Sequence, residues 1–144
     1  MKTEQRSWSR EEGWSGDPTS ETLKDAQLVL LFGHPSNLKN ESLFKEIRQS
    51  YPNAYILSGS TAGEILKTRV YDDSLVARVI WFKNTILKPT HLKIKDRIDS
   101  LSIGEELVRV LDQEGLCHVF VLADGLNANG TELIKGMVKH LPEA

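Results

Sequence analysis

The chain has 144 residues, of which 40% are hydrophobic and 26% charged, a composition typical of one soluble globular domain. The formal net charge of −2 provides no strong field for nucleic acid or an anionic membrane, so we expect neither as a partner. A single cysteine, Cys117, excludes an internal disulfide, and no apolar run approaches the roughly 20 residues of a membrane span. These features predict a cytoplasmic protein without membrane insertion.

The first 24 residues differ from the rest, because they are rich in charged residues, Ser, Gly and Pro and contain almost no aliphatic side chains. Such a segment cannot build a core, so we expect a polar N-terminal arm over 1–24, extended or partly mobile, and an α/β domain over 25–144. Trp8 and Trp14 are costly to leave in water, which favours an arm docked on a domain surface. A partner-binding peptide is the alternative.

The domain opens with a predicted strand–helix–strand unit. Residues 26–32 form an apolar run that indicates a buried strand. Ser36 or Asn37 can cap a helix with apolar residues at helical spacing, which ends near Tyr51. A second strand is predicted at 54–58. These short distances predict a right-handed βαβ unit with parallel strands.

The later part of the chain predicts more strands and two more helices. Residues 74–82 and 86–94 indicate a hairpin, in which Pro89 favours an edge position for the second strand. A helix is predicted to open at Ser100 or Ser102, with Glu105 near its positive end. The remaining expected elements are a buried strand at 117–123 and a helix from 131 to 140 capped by Asn129. The predicted fold class is α/β, with a single mixed sheet of about five strands and helices packed on it.

Small residues dominate Ser58-Gly59-Ser60-Thr61-Ala62-Gly63-Glu64, the segment after the second predicted strand. Amides and hydroxyls in such a turn can face a carboxylate or phosphate. The segment fits neither of two known loops. A P-loop needs Lys after its last Gly, where Glu64 stands here, and a nucleophile elbow needs Ser where Thr61 stands. Glu64 would repel a phosphate but could bind a ligand ammonium. A tight structural turn with self-satisfied hydroxyls accounts for the same residues equally well.

A second polar corner, Asp124-Gly125-Leu126-Asn127-Ala128-Asn129-Gly130, follows the predicted strand at 117–123. Asp124 would stand at a strand end, where α/β proteins place functional carboxylates, and the next helix N-terminus adds partial positive charge. On this stretch alone, a loop and cap that satisfy their own amides is the favoured interpretation.

The sequence gives no support for catalysis or metal binding. The four histidines, at 34, 91, 118 and 140, have no partner at i+3 or i+4, so we expect no metal site. No nucleophile and base lie within local reach, so we expect no catalytic residues, no cofactor and no enzyme. A hydrolase with Ser60 or Thr61 as nucleophile is a third interpretation, for which no base can be named.

Two stretches together resemble the N-terminal part of the FIST domain. They are Ser60-Thr61-Ala62-Gly63-Glu64-Ile65 after an apolar strand, and Asp124-Gly125-Leu126-Asn127 followed by Asn129-Gly130 and a helix. The resemblance covers roughly residues 26–140. The family often has Cys before the Ser-Thr pair, and Gly59 stands there in this chain, so any thiol-dependent role is lost. Because the family domain continues into a second half, we expect this chain to be a fragment of a longer protein.

The resemblance implies a sensory domain of signal transduction that binds a small polar ligand such as an amino acid and acts on a downstream output domain or protein. We expect two walls of one ligand site, formed by Ser58, Gly59, Ser60, Thr61, Gly63 and Glu64 and by Asp124, Gly125, Asn127 and Asn129. The alternative function is a protein–protein interaction module without a small ligand, which docks a partner through an edge strand or the Trp-bearing arm.

Overall fold

The computed structural model describes residues 1–15, 21–93 and 99–142. The chain divides into two compact units, Met1–Ile86 and Leu87–Ala144, each with a hydrophobic cluster of its own. In the described ranges, no helix has the length and apolar character that crossing a membrane requires.

The first unit is built on a mixed sheet. Its described elements, in chain order, are β1 (Lys2–Ser9), β2 (Gly13–Trp14), α1 (Glu21–Lys24), β3 (Leu28–Gly33), α2 (Pro35–Leu38), α3 (Glu41–Ser50), β4 (Tyr55–Ser60), β5 (Glu64–Leu66), β6 (Arg69–Tyr71) and β7 (Leu75–Trp81). Five strands form one sheet in the spatial order β2-β1-β7-β3-β4, and β5 and β6 form a separate hairpin. The predicted α/β class with a mixed sheet of about five strands is confirmed.

The strands β3 and β4 are parallel, as the short strand–helix–strand spacing predicts. The single helix predicted between them is wrong, because it is divided into α2 and α3. His34 caps α2 instead of Ser36 or Asn37, and the Asn40 side chain accepts a hydrogen bond from the Ser42 amide and starts α3 anew. An Asn side chain that bonds the backbone two residues on competes with helix continuation, which explains the break.

The N-terminal arm is a strand of the sheet. β1 pairs antiparallel with the whole of β7 over Lys2–Trp8, and β2 pairs with the end of β1. Trp8 and Trp14 are opposite each other in that pairing, and both pack against the core of the first unit. Strand alternation turns Glu4 and Arg6 to the same face as Trp8, so polar residues of the arm reach the buried side of the sheet.

A buried polar cluster joins β1 to the end of α3. The Tyr51 hydroxyl donates to a Glu4 carboxylate oxygen, and Arg6 Nη1 lies 3.5 Å from the same hydroxyl. The Arg6 guanidinium also lies over the rings of Trp14 and Tyr51, at 5.5 and 6.0 Å from their centroids. Burial, followed by the hydrogen bond to Glu4, raises the pKa of Tyr51 to about 12.

This raised pKa predicts a loss of stability in alkali. A folded-state pKa of about 12 against an ordinary value of 10.0 means that the stabilisation is complete below pH 10 and is lost as pH rises through 12. At pH 11 the expected loss is about 1.4 kcal/mol of unfolding free energy. Tyr51→Phe removes this component of the pH dependence, whereas Tyr55→Phe, at a half-exposed site, keeps it. Urea unfolding from pH 8 to 11 tests this, and equal slopes for both variants would contradict it.

Two predicted strands are not found. Residues 86–93 form no strand, and Ile94 lies outside the described residues. Both sides of β7 are already paired, with β1 and β3, so a hairpin partner has no edge to join there. Residues 117–123 also form no strand: Val119 is 37% exposed and Phe120 63%. The described part of the second unit contains no strand that could pair with them.

The second unit is a pair of helices, α4 (Ser100–Arg109) and α5 (Gly130–Val138). The predicted Asn129 cap is confirmed, since its side chain accepts from the amides of Thr131 and Glu132 at 3.0 and 3.3 Å. The cap predicted for α4 is wrong, because Asp99 caps it and thereby places Glu105 beyond the first turn. The buried apolar residues of the pair are Ile103, Val108, Leu133 and Met137.

Two glycines let α4 and α5 approach closely. A methyl group on Gly104 would lie well inside van der Waals contact with the Leu133 carbonyl oxygen. A methyl group on Gly136 would meet the Leu101 carbonyl oxygen in the same way. Each helix therefore packs against backbone of the other at a position that only a hydrogen atom can occupy.

Candidate functional site

Four chain segments meet at one end of the sheet in the first unit. β3 and β4 are parallel and end together, with Gly33 opposite Ser60. β7 runs the other way, so its first residue, Leu75, lies opposite Gly33, and Trp8 near the end of β1 lies opposite Leu75. The carboxyl ends of parallel strands are where open α/β sheets tend to bind ligands.

The segment that the sequence predicts as a loop, Ser58–Glu64, is mostly strand. β4 continues through Ser60, two residues past its predicted end, and Thr61 then donates its amide to the Gly33 carbonyl oxygen at 3.0 Å. The turn itself is only residues 61–63, before β5 begins at Glu64. The ladder with β3 bonds one side of this backbone, and the Thr61 hydroxyl donates to Glu64. Ser58 and Ser60 are exposed.

Glu64 is buried, with only 2% of its surface exposed, and its carboxylate has protein partners on both oxygens. One oxygen accepts from the Thr61 hydroxyl at 2.7 Å. The other accepts from the Ser74 hydroxyl at 2.6 Å and the Ser74 amide at 3.3 Å. Glu64 therefore ties the turn after β4 to the residue before β7.

Asp73 is the centre of a second group of polar contacts at this end of the sheet. Its carboxylate accepts from Asn37 Nδ2 at 3.1 Å and lies 3.4 Å from Arg10 Nη2 and 3.9 Å from His34 Nδ1. Asn37 is buried, whereas the Arg10 and Asp73 side chains are 77% and 50% exposed. Asp73 also has a left-handed backbone, with φ of 51°, which is uncommon outside glycine.

We name these residues the strand-end cluster: Arg10, His34, Asn37, Thr61, Glu64, Asp73 and Ser74. It combines a cation, two carboxylates, an imidazole, an amide and two hydroxyls. Such a mixture can present opposite charges to a small polar molecule.

The cluster does not have the geometry of a Ser-His-Asp relay. The Ser36 hydroxyl lies 2.8 Å from His34 Nδ1, and the Asp73 carboxylate approaches the same nitrogen at 3.9 Å. A relay needs the hydroxyl on one ring nitrogen and the carboxylate on the other. Within the described residues, no group of three or more His, Cys, Asp or Glu side chains is placed to hold a metal ion.

The other predicted corner, Asp124–Asn129, belongs to the second unit. The Asp124 carboxylate accepts from the Leu126 amide at 3.0 Å and from Asn127 Nδ2 at 2.7 Å. The Asn127 bond, followed by the Leu126 amide bond, lowers the pKa of Asp124. Asn129 is occupied as the cap of α5, and Gly125 is exposed. These side chains satisfy their own loop, and Asp124 remains exposed at its surface.

An open depression of about 320 Å³ lies on the surface of α2 and α3, lined by Leu38, Lys39, Glu41, Phe44 and Lys45. None of its lining residues belongs to the strand-end cluster. Its walls are surface cations, one carboxylate and two apolar side chains, without the converging polar groups of a specific ligand site.

Five members of the cluster are absent from the predicted site: Arg10, His34, Asn37, Asp73 and Ser74. Arg10 belongs to the predicted N-terminal arm, and the sequence predicts Asn37 only as a possible helix cap. Their common signal is position: His34 and Thr61 directly follow parallel strands, and Asp73 closely precedes an antiparallel one. Strand direction therefore brings them to the same end of the sheet.

One comparison with known proteins assigns the chain to a family. The family model of the FIST N domain matches residues 27–144, which is most of the chain. No curated protein and no solved structure gives a significant match. On the strength of the family match, the chain belongs to the FIST family, whose domains are sensory domains of signal transduction.

Proposed function

We propose that this chain is a sensory domain that binds a small polar ligand, such as an amino acid, and passes the signal to a downstream output domain or protein. The observation that carries the proposal is the strand-end cluster at the carboxyl ends of β3 and β4. Family membership supports the sensory role, and the chemistry of the cluster suggests the ligand class.

The exposed ion pair in the cluster is suited to a zwitterion. The Arg10 and Asp73 charges are 3.4 Å apart, and both side chains are at least half exposed. Exposed pairs of this kind contribute little to stability, so a ligand can replace the pairing at low cost. The ligand carboxylate would then bind Arg10, and its ammonium group would bind Asp73. Each charge exchanges one partner for another of the same sign.

The residues predicted from the sequence keep a place in this proposal. The hydroxyls of Ser58, Ser60 and Thr61 supply hydrogen bonds to the ligand. Gly59 and Gly63 keep the nearby backbone free of side chains. Glu64 has both oxygens bonded to protein, so we assign it the role of holding Thr61 and Ser74 in position. The loop of Asp124, Gly125, Asn127 and Asn129 is a separate candidate, where the exposed Asp124 carboxylate would bind an ammonium group.

Arg10→Gln and Asp73→Asn are expected to weaken binding of the responding amino acid about tenfold or more, because each removes a charge-assisted contact. Asn tolerates the left-handed backbone of residue 73, so the fold is retained. Titration calorimetry with the twenty amino acids on the full chain identifies the ligand and then compares variants. The matched controls are Arg69→Gln and Asp72→Asn, which alter exposed residues outside the cluster. A folded protein that gives no heat with any amino acid would rule out the amino-acid ligand.

The Asp124 loop is tested in the same way. Asp124→Asn removes the charge and keeps the size, so it weakens binding only where this carboxylate touches the ligand. Unchanged affinity for Asp124→Asn, with weakened affinity for Asp73→Asn, would confine the site to the first unit.

The alternative, an interaction module, has support in the exposed apolar residues of the β5–β6 hairpin. Ile65 and Val70 lie opposite each other and are 67% and 68% exposed. The Trp-bearing arm gives this alternative less support, because Trp8 and Trp14 pack against the core. Loss of partner capture in Ile65→Ser/Val70→Ser, with the amino-acid response intact, would favour the interaction module.

A further inference from the structure

The two edges of the main sheet differ in how they are protected. At one edge, the two-residue β2 pairs only with the end of β1, and the rest of β1 carries the charged residues Lys2, Glu4 and Arg6, which discourage pairing with a second chain. At the other edge, β4 is six residues long, with the sequence Tyr55-Ile-Leu-Ser-Gly-Ser60. It contains no charged residue and no proline. Natural edge strands use charged residues and prolines to prevent unwanted pairing, so β4 lacks this protection.

Among the strands of the described residues, β4 pairs only with β3. Alternate amides and carbonyls along its other side therefore point away from the sheet. Tyr55 is 45% exposed and the serines at 58 and 60 are exposed as well. An edge of this length and composition, which no other strand of the described residues pairs with, is a template for a further strand.

The sequence of β4 is complementary to itself. An antiparallel pair related by a two-fold axis through Leu57 places Tyr55 of one copy opposite Gly59 of the other, and Ile56 opposite Ser58. An aromatic ring lying across a strand glycine covers backbone that the glycine leaves bare. The pairing brings no like charges together, because β4 has none. A two-fold axis also uses the same surface on both partners, as in most protein dimers.

We propose that the outer edge of β4 is a self-association surface, through which two copies of this chain pair their β4 strands antiparallel into one continuous sheet. The occupant of the edge is the β4 strand of a second copy. This inference goes beyond the proposed sensory function and does not depend on any ligand.

Sedimentation velocity on the full chain tests the proposal. Wild type is expected to form a dimer as concentration rises, and Tyr55→Lys to weaken the association at least about tenfold, because a lysine replaces the ring over glycine and puts two charges into the paired strands. The matched control is Tyr71→Lys, since Tyr71 is a similarly exposed tyrosine (41% against 45%) on β6. This control is expected to dimerise like wild type. A wild type that stays monomeric at every soluble concentration overturns the proposal.

Hydrogen exchange locates the contact independently of any substitution. The outward amides of β4 are expected to exchange more slowly in concentrated than in dilute protein, and this difference is expected to vanish in Tyr55→Lys. A dimer whose β4 amides gain no protection with concentration also overturns the proposal, because the two copies then associate elsewhere. Neither sedimentation velocity nor hydrogen exchange measures ligand binding here. Failure of the self-association proposal is therefore distinguishable from failure of the sensory proposal.

Discussion

Gly136→Ala is expected to destabilise the second unit by about 1–3 kcal/mol, although alanine is the better helix former. Helix propensity alone would predict a gain of about 1 kcal/mol. The sign reverses because the added methyl group meets the Leu101 carbonyl oxygen, and backbone cannot rotate away as a flexible side chain can. Gly104→Ala is expected to act in the same direction against the Leu133 carbonyl oxygen.

Gly130→Ala is the matched control, since a methyl group there meets nothing within 4 Å. Gly130 lies in the same helix as Gly136, so the stability change of Gly130→Ala reports helix propensity without a clash against α4. Urea unfolding followed by far-UV circular dichroism measures all three variants. Equal stability for Gly136→Ala and Gly130→Ala would show that α4 and α5 do not approach as closely as described.

Glu64→Ala is expected to lower the unfolding free energy of the first unit by about 3 kcal/mol. The substitution leaves the Thr61 hydroxyl and the amide and hydroxyl of Ser74 without their acceptor, and Ser74 is buried. Unmade hydrogen bonds of buried donors cost more than the bonds themselves contribute. Glu64→Gln keeps the shape but turns an amide toward these donors, so we expect an intermediate loss.

Tryptophan fluorescence during urea unfolding measures this change, because all three tryptophans lie in the first unit. Asp72→Ala provides the control: it removes an exposed carboxylate from the same connection and is expected to leave stability nearly unchanged. Should Glu64→Ala unfold at the same urea concentration as Asp72→Ala, the carboxylate does not hold the turn.

The parts of the fold that follow from local sequence pattern were predictable. The apolar run at β3, the parallel pairing with β4 and the Asn129 cap each depend on residues close together in the chain. Hydrophobic periodicity and capping preferences therefore suffice to predict them.

The parts that were missed depend on distant residues. β1 is polar in sequence, and its contacts are with residues far along the chain: its ladder partner β7, and Tyr51 at the end of α3, which bonds Glu4. The absence of a strand at 86–93 follows from β1 occupying the edge of β7, which no local pattern reveals. Asp73 joins the strand-end cluster through the direction of β7 and through Arg10 and Asn37, which are far away in the sequence.

The position of β1 has a consequence for the order in which the sheet assembles. β7 is the central strand, and it pairs on one side with the start of the chain, Lys2 opposite Trp81. During synthesis β1 emerges before β3 and β4, yet its partner β7 emerges only after them. Contacts between such distant segments form slowly, because the entropy cost of closing a long loop comes before any stabilisation from the contacts. The N-terminal strand is therefore expected to be among the last to join the sheet, with Trp8 and Trp14 in water until it does.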